Sequence, residues 1–372
     1  MIVTKPPMGW SSWNTFGPNI NEDIIKETAD ALVETGLRDA GYEYIVIDDC
    51  WSKVKREDGM IVPDPGKFPG GMKALADYVH ERGLKFGIYS CDGSHTCAGY
   101  PSSLDNEWKD AQMFADWGVD FLKYDNCHKP SMLPARLLYN RMSMALRATG
   151  RDMVFSACNW GTENVRDWAA SVGTHMYRST DDMADSYERM KELALLRMHD
   201  YGSGSWNCFN DMDILINGMN GEGHVSLAAS TPEQYALHFA IWCFFASPLM
   251  IGCDVRSIDA ETLALLKNPE FIRINQDAEA RPPMLVHEND PLCWTFFRHM
   301  ENGEYIAAFF NLDDSYSQAR FETYEIGITY DCPYTMEFTD IVTGEKFIEN
   351  QYFNQWMPPF SFKLFRTRLI KK

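Results

Sequence analysis

The chain has 372 residues, 45% of them hydrophobic, enough for a barrel of about 250 residues plus a small second domain. Its 53 acidic and 34 basic side chains leave a net charge of -19, which disfavours nucleic acid and anionic membrane surfaces as partners. The ten cysteines are scattered, with no Cys-x-x-Cys spacing, so neither a zinc site nor a disulfide-dense scaffold is indicated.

Residues 1–7 hold no long apolar h-region, and no apolar run reaches the length of a membrane span. The sequence therefore predicts a cytoplasmic protein. Eight strand-like runs follow, each with a helix-like pattern behind it. The first covers residues 8–14. Asn21 then opens a helix with Ile25, Ala29, Leu32 and Val33 on one face and Gly36 as its C-cap. The second run, 42–49, ends in Asp48 and Asp49 before Cys50-Trp51. A helix is expected around 70–82. The third run, 84–90, carries Tyr89. A helix over about 104–117 leads into the fourth, which begins apolar with Phe121-Leu122 and turns polar at Lys123 and Asp125. The fifth, 153–158, ends at Asn159-Trp160. The sixth, 175–178, ends in Arg178 and is followed by Asp181-Asp182. The seventh, near 205–213, ends in Asp213. Thr231-Pro232-Glu233-Gln234 reads as a capping box that starts a helix before the eighth run, 248–253.

Eight strand–helix repeats predict an α/β fold, a closed (β/α)8 TIM barrel. The alternative is a doubly wound open sheet, but no Gly-x-Gly-x-x-Gly turn supports its nucleotide-binding form. The polar residues gather at the carboxyl ends of the proposed strands, where barrel enzymes build their sites. Beyond Asp277 the pattern alternates and is rich in aromatics. Glu301-Asn302-Gly303 and Thr343-Gly344 read as hairpin turns. The expected division is a catalytic barrel over residues 1–278 and an antiparallel β-sandwich domain over 279–372.

A barrel mouth lined by carboxylates, one Lys, one Arg and aromatics permits two chemistries: holding a divalent metal, or cleaving a glycoside. Trp10, Trp13, Trp51, Tyr89 and Trp160 favour sugar, although Trp10 and Trp51 also suit core packing. The histidines offer no His-x-x-x-His pair, so no metal and no cofactor is expected. Retaining cleavage needs a carboxylate nucleophile and a carboxylic acid. Asp125 on the fourth strand and an Asp after the sixth face each other across such a mouth. Lys123, on the same side of its strand, is expected to keep Asp125 ionised. The acid partner is expected to have a raised pKa.

Met8-Gly9-Trp10 with Trp13, Ile47-Asp48-Asp49-Cys50-Trp51, Gly87-Ile88-Tyr89, Thr96-Cys97-Ala98-Gly99-Tyr100-Pro101 and Lys123-Tyr124-Asp125 resemble, in order, the motifs of glycoside hydrolase family 27. Ala115-Asp116-Trp117-Gly118-Val119-Asp120, Asn210-Asp211-Met212-Asp213 and Ile274-Asn275-Gln276-Asp277 continue the series. That family contains retaining α-galactosidases and α-N-acetylgalactosaminidases. The resemblance implies Asp125 as nucleophile and Asp182, four residues after Arg178, as acid/base, with Asp181 the competing choice. It implies Asp48 and Asp49 on the O4 and O6 side of the sugar, and Tyr89, Lys123 and Arg178 on other hydroxyls. Trp13 would stack, and Asp213 would position Arg178 or the sugar; Trp160, read from the residues as an aromatic at a strand end, is also expected to bind substrate. Cys97 and Cys127 occupy positions paired beside the sugar in relatives; here both the paired and the free form are open, the free form being the default of a reducing cytoplasm. Cys50 and Cys158 lack their usual partners. Asn159 stands where galactosidases have Glu, facing the 2-substituent. The expected substrate is a small oligosaccharide or glycoconjugate bearing a terminal α-D-galactosyl group. α-N-Acetylgalactosaminides and β-L-arabinopyranosides are the alternatives, and a non-catalytic carbohydrate-binding protein is a remote one. A homo-oligomer is compatible with the sequence.

Overall fold

The computed structural model describes residues 3–204, 206–349 and 351–372. Eight parallel strands form one sheet: β1 (Met8–Ser11), β2 (Tyr44–Val46), β3 (Lys85–Cys91), β4 (Phe121–Asp125), β5 (Val154–Cys158), β6 (Met176–Arg178), β7 (Phe209–Asp211) and β8 (Leu249–Ile251). Their order is β7-β6-β5-β4-β3-β2-β1-β8, with every neighbouring pair parallel. The seam between β7 and β8 closes just past β7. Leu215 donates to Met250 O at 2.7 Å and accepts from Gly252 N at 3.0 Å. The strands are buried along their length, which is why they read as apolar runs rather than alternating ones.

Helix starts follow the sequence signals. Asn21 caps the helix Glu22–Glu34 through Ile24 N, and Thr231 and Gln234 make the reciprocal capping box of Pro232–Phe244. The first run is shorter than expected. After β1 the chain turns into the short helix Trp13–Phe16, so Trp13 projects from a helical turn and not from a strand.

Beyond the barrel, β9 (Met284–Asp290), β10 (Cys293–His299), β11 (Tyr305–Asn311), β13 (Tyr334–Asp340), β14 (Lys346–Glu349) and β16 (Ser361–Lys371) form an antiparallel sheet. Its strand order is β14-β13-β16-β11-β10-β9, and a second sheet pairs β12 (Ser317–Glu322) with β15 (Tyr352–Met357). Alternation along β11 sorts two cores. Ala307 and Phe309 face an inner cluster with Phe321, Phe338 and Phe353, while Ile306, Ala308 and Phe310 join the barrel's own cluster. Arg298, fully buried at that seam, donates to Phe244 O at 2.8 Å and Ile274 O at 3.0 Å, tying two helix ends to the sheet.

Candidate active site

Backbone strain marks the carboxyl ends of the strands. Cys50, His128, Trp160 and Asp213 follow β2, β4, β5 and β7, and all have positive φ, between 55° and 78°. Such conformations cost a side-chain-bearing residue free energy and gather at functional sites. Between these turns lies a cavity of about 120 Å³. Its wall includes Trp13, Asp48, Asp49, Tyr89, Cys97, Lys123, Asp125, Arg178, Asp182 and Asp213, ten of the thirteen expected residues. A larger cavity, about 420 Å³, opens beside Met153 and His175 at the amino ends of β5 and β6 and holds none of them.

Asp125 ends β4 and is 5% exposed. One carboxylate oxygen accepts from Asn126 N at 2.9 Å and the other from the Tyr89 hydroxyl at 3.2 Å. Burial pushes its carboxyl up to about 6, against the pull of Lys123 and the Asn126 amide and with the repulsion of Asp182 and Asp48. Lys123 does pull the pKa down, as the sequence suggested, but burial outweighs it. Its ammonium pairs with Asp48 at 2.7 Å, passing 5.4 Å over the Tyr89 ring. Burial works against charge on Lys123, yet Asp48 and the anions around it hold the pKa well above the ordinary value, so it stays cationic.

Asp182 sits at the rim, its side chain 72% exposed. Arg178, the last residue of β6 and 2% exposed, donates to Asp182 at 3.0 Å and pairs with Asp213 at 3.0 Å. Desolvation in the mouth raises the Asp182 pKa, but Arg178 and Lys123 overcome it and hold the carboxyl below the usual range. In the free protein the ordering is therefore the reverse of the sequence expectation: the proton of the pair favours Asp125. Asp181, the competing choice, lies outside the cavity wall and its side chain is 70% exposed.

Asp49 accepts from Cys50 N at 2.7 Å and Ala98 N at 2.9 Å, and burial raises its pKa despite those donors. Asp213 also accepts from Met183 N at 2.6 Å, so one carboxylate fixes both Arg178 and the acid's loop. Cys97 and Cys127 form a disulfide, the paired one of the two alternatives and not the default of a reducing cytoplasm. Cys50 and Cys158 are free and buried. Among the described residues, the one group with metal-ligand spacing is Cys97, Asp125 and Cys127. Its two sulfurs are bonded to each other, so it does not fit a metal.

Three expected residues lie outside the wall: Cys127, Asn159 and Trp160. Asn159 is fully buried and its amide donates to Thr162 O at 2.8 Å, inside its own turn. Trp10 and Trp51 pack in the core, their indoles donating to Cys253 O and Tyr89 O. The wall also contains Asn14, Met183, Ile214 and Val225. The first three adjoin residues already singled out. Val225 comes from a distant glycine-rich loop that carries no sequence signal of a site.

Fold and cavity together define a class: an eight-stranded α/β barrel with an acid-lined pocket at its carboxyl end and a β-sandwich packed behind. The chain belongs to the Melibiase_2 family, described as alpha galactosidase A (glycoside hydrolase family 27), whose sequence profile matches residues 5–277. It is 49% identical over 296 residues to alpha-galactosidase 3 of Arabidopsis thaliana, covering 78% of this chain and 65% of that one. The chain thus spans just under two thirds of that relative's length. It is 38% identical over 366 residues to alpha-galactosidase A of Cellvibrio japonicus, covering 95% of this chain and 85% of the relative. The structure of alpha-galactosidase I from Mortierella vinacea superposes with a TM-score of 0.86 at 30% identity, covering 98% and 97% of the two chains.

Proposed function

We propose that this protein is a retaining exo-glycosidase that releases terminal α-D-galactosyl groups from small oligosaccharides or glycoconjugates. One observation carries the reading: two carboxyls, one ending β4 and one in the loop after β6, share one cavity, Asp125 deep and Asp182 at its rim. Relatives named α-galactosidase support the choice of sugar.

Asp125 attacks the anomeric carbon while Asp182 gives its proton to the departing oxygen. The covalent glycosyl-enzyme then breaks when Asp182, now a base, takes a proton from water. Tyr89 and the Asn126 amide aim the Asp125 oxygens. Lys123, Asp48 and Asp49 form a charged, hydrogen-bonding floor suited to the sugar's hydroxyls, and Trp13 offers a stacking face. Arg178 and Asp213 hold the acid's loop. As a sugar fills the mouth it displaces water around Asp182, which raises that pKa and moves the proton toward the leaving group. The Asn159 amide N–H donates to Thr162 O within its own turn, and the choice of galactose over a sugar with another 2-substituent rests on the relatives' names.

Among the described residues no helix is long and apolar enough to cross a membrane. The Cys97–Cys127 bond favours an oxidising compartment over the cytoplasm.

The deciding experiment is hydrolysis of p-nitrophenyl α-D-galactopyranoside by wild type and Asp125→Ala, with azide added to the variant. Wild-type turnover, a dead variant, and azide rescue yielding β-galactosyl azide are expected. Wild type inert on this substrate but active on the α-N-acetylgalactosaminyl or β-L-arabinopyranosyl analogue would overturn the galactosyl assignment. Rescue giving the α-azide would overturn the role of Asp125.

A further inference from the structure

The loop of residues 214–230 leads from β7 to the helix Pro232–Phe244, and its second half lies as a strap along the cavity rim. It is tied on two sides. On one side His224 N donates to Thr15 O and Val225 N to Asn14 O, both at 3.1 Å, in the turn that carries Trp13. The His224 ring stands edge-on to Trp13, with centroids 5.1 Å apart. Gly223 (φ +107°) crosses so closely that a Cβ there would lie 2.9 Å from Asn14 O.

On the other side the anchor is Asp185, fully buried and three residues past Asp182. Its carboxylate accepts from Gly221 N and from the Tyr235 hydroxyl, each at 2.7 Å. Its backbone N–H donates to Val225 O at 3.2 Å, and its carbonyl accepts from Leu227 N at 3.2 Å and Ala228 N at 3.0 Å. The Tyr235 hydroxyl in turn accepts from Asn220 N at 3.1 Å and Ser230 N at 3.3 Å. The strap is thus built onto the acid's own loop.

Depth decides what it touches. Asp125 is 5% exposed, whereas the Asp182 side chain is 72% exposed. The glycosidic oxygen has to come within hydrogen-bond reach of Asp182. The sugar ring then lies below the acid, and the leaving group emerges beside whatever flanks Asp182 at the rim. Val225 lines the cavity, and Leu227, two residues on, is 73% exposed.

We infer that this strap is a wall of the leaving-group subsite. Val225 and Leu227 offer apolar contact to the carbon-rich face of a hexose or similar ring, and Asp185 is the positioning residue that seats them. The assignment rests on the galactosidase reading.

The test compares kcat/KM on two substrates: α-galactosyl fluoride, whose leaving group is a single atom, and the α-1,6-linked galactosyl-glucose disaccharide. Wild type, Leu227→Ser and Asp185→Asn are measured, with folding checked by circular dichroism and thermal melting. Both variants should lower the disaccharide-to-fluoride ratio roughly ten-fold, the scale of one lost apolar contact in a binding pocket. A drop in Leu227→Ser alone supports the wall and overturns the role of Asp185. A ratio within about two-fold of wild type in folded Leu227→Ser, both substrates moving together, overturns the subsite. Wild type inert on the fluoride would instead refute the galactosidase reading, and this assignment with it.

Discussion

The inverted proton preference of the two carboxyls has a kinetic signature. Cleavage needs Asp125 ionised and Asp182 protonated, yet burial raises Asp125 to about 6 while Arg178 holds Asp182 below the ordinary 3.8. The productive arrangement is therefore the minor form of the singly protonated free enzyme. The pH profile of kcat/KM, which reports the free enzyme, should still be bell-shaped. Its alkaline limb should fall at about pH 6, as the last proton leaves the pair from Asp125. Above it the rate should drop roughly ten-fold per pH unit. The perturbation that separates the two groups is Asp182→Asn, assayed on 2,4-dinitrophenyl α-galactoside, whose leaving group needs no acid. The alkaline limb should vanish. The remaining acid limb should report Asp125 alone, at a pKa below 6 because the repulsion of Asp182 is gone. An unchanged bell in the variant, or a wild-type alkaline limb beyond about pH 8, would refute the reasoning.

Other outcomes follow from the same geometry. Lys123→Met leaves Asp48, itself 3% exposed, without its partner, and should cost about 3 kcal/mol in urea unfolding. It should also move the alkaline limb of kcat/KM upward, because the last proton leaves from Asp125 and Lys123 is the strongest pull lowering its pKa. The Cys97–Cys127 bond closes a loop over a sequence separation of 30, so Cys97→Ser should cost about 3–4 kcal/mol on the chain-entropy model. Thiol titration of the denatured, unreduced chain should find eight thiols of the ten cysteines; ten would show that the bond does not form. Gly93→Ala places a Cβ 1.9 Å from Cys127 O, so the backbone beside Asp125 must shift. It should lower the melting temperature and reduce kcat, whereas Gly202→Ala, with open space at its Cβ and no left-handed φ, should leave kcat near wild type.

Much of the barrel is legible because a strand buried on both faces is a short apolar run, and its polar exit marks the carboxyl end. Asp125 after Phe121-Leu122 and Asp48 after Tyr44–Val46 are visible on that ground alone. Caps are legible because they are local: Asn21 and Thr231 bond to amides three residues on. The hairpin at Glu301–Gly303 is local too, and β10 and β11 pair across it.

Charge partners are not local. Two residues along a strand are about 6.6 Å apart, so Lys123 and Asp125 share a side without touching. The Lys123 ammonium instead reaches past Tyr89 on β3 to Asp48 after β2, a pairing set by strand order around the barrel. Asp182 was expected to be the easily protonated member, but the guanidinium four residues earlier lies against it and reverses the order.

The sequence alone determined the barrel, the sandwich behind it, and which strand ends carry acids, because periodicity and turn chemistry act over a few residues. Only the tertiary structure decided how those acids share a proton, that Cys97 meets Cys127, that Asn159 lies outside the cavity wall, and that Val225 is part of it. Each of these depends on burial or on segments joined across the barrel mouth, and neither burial depth nor through-space approach is encoded in local spacing.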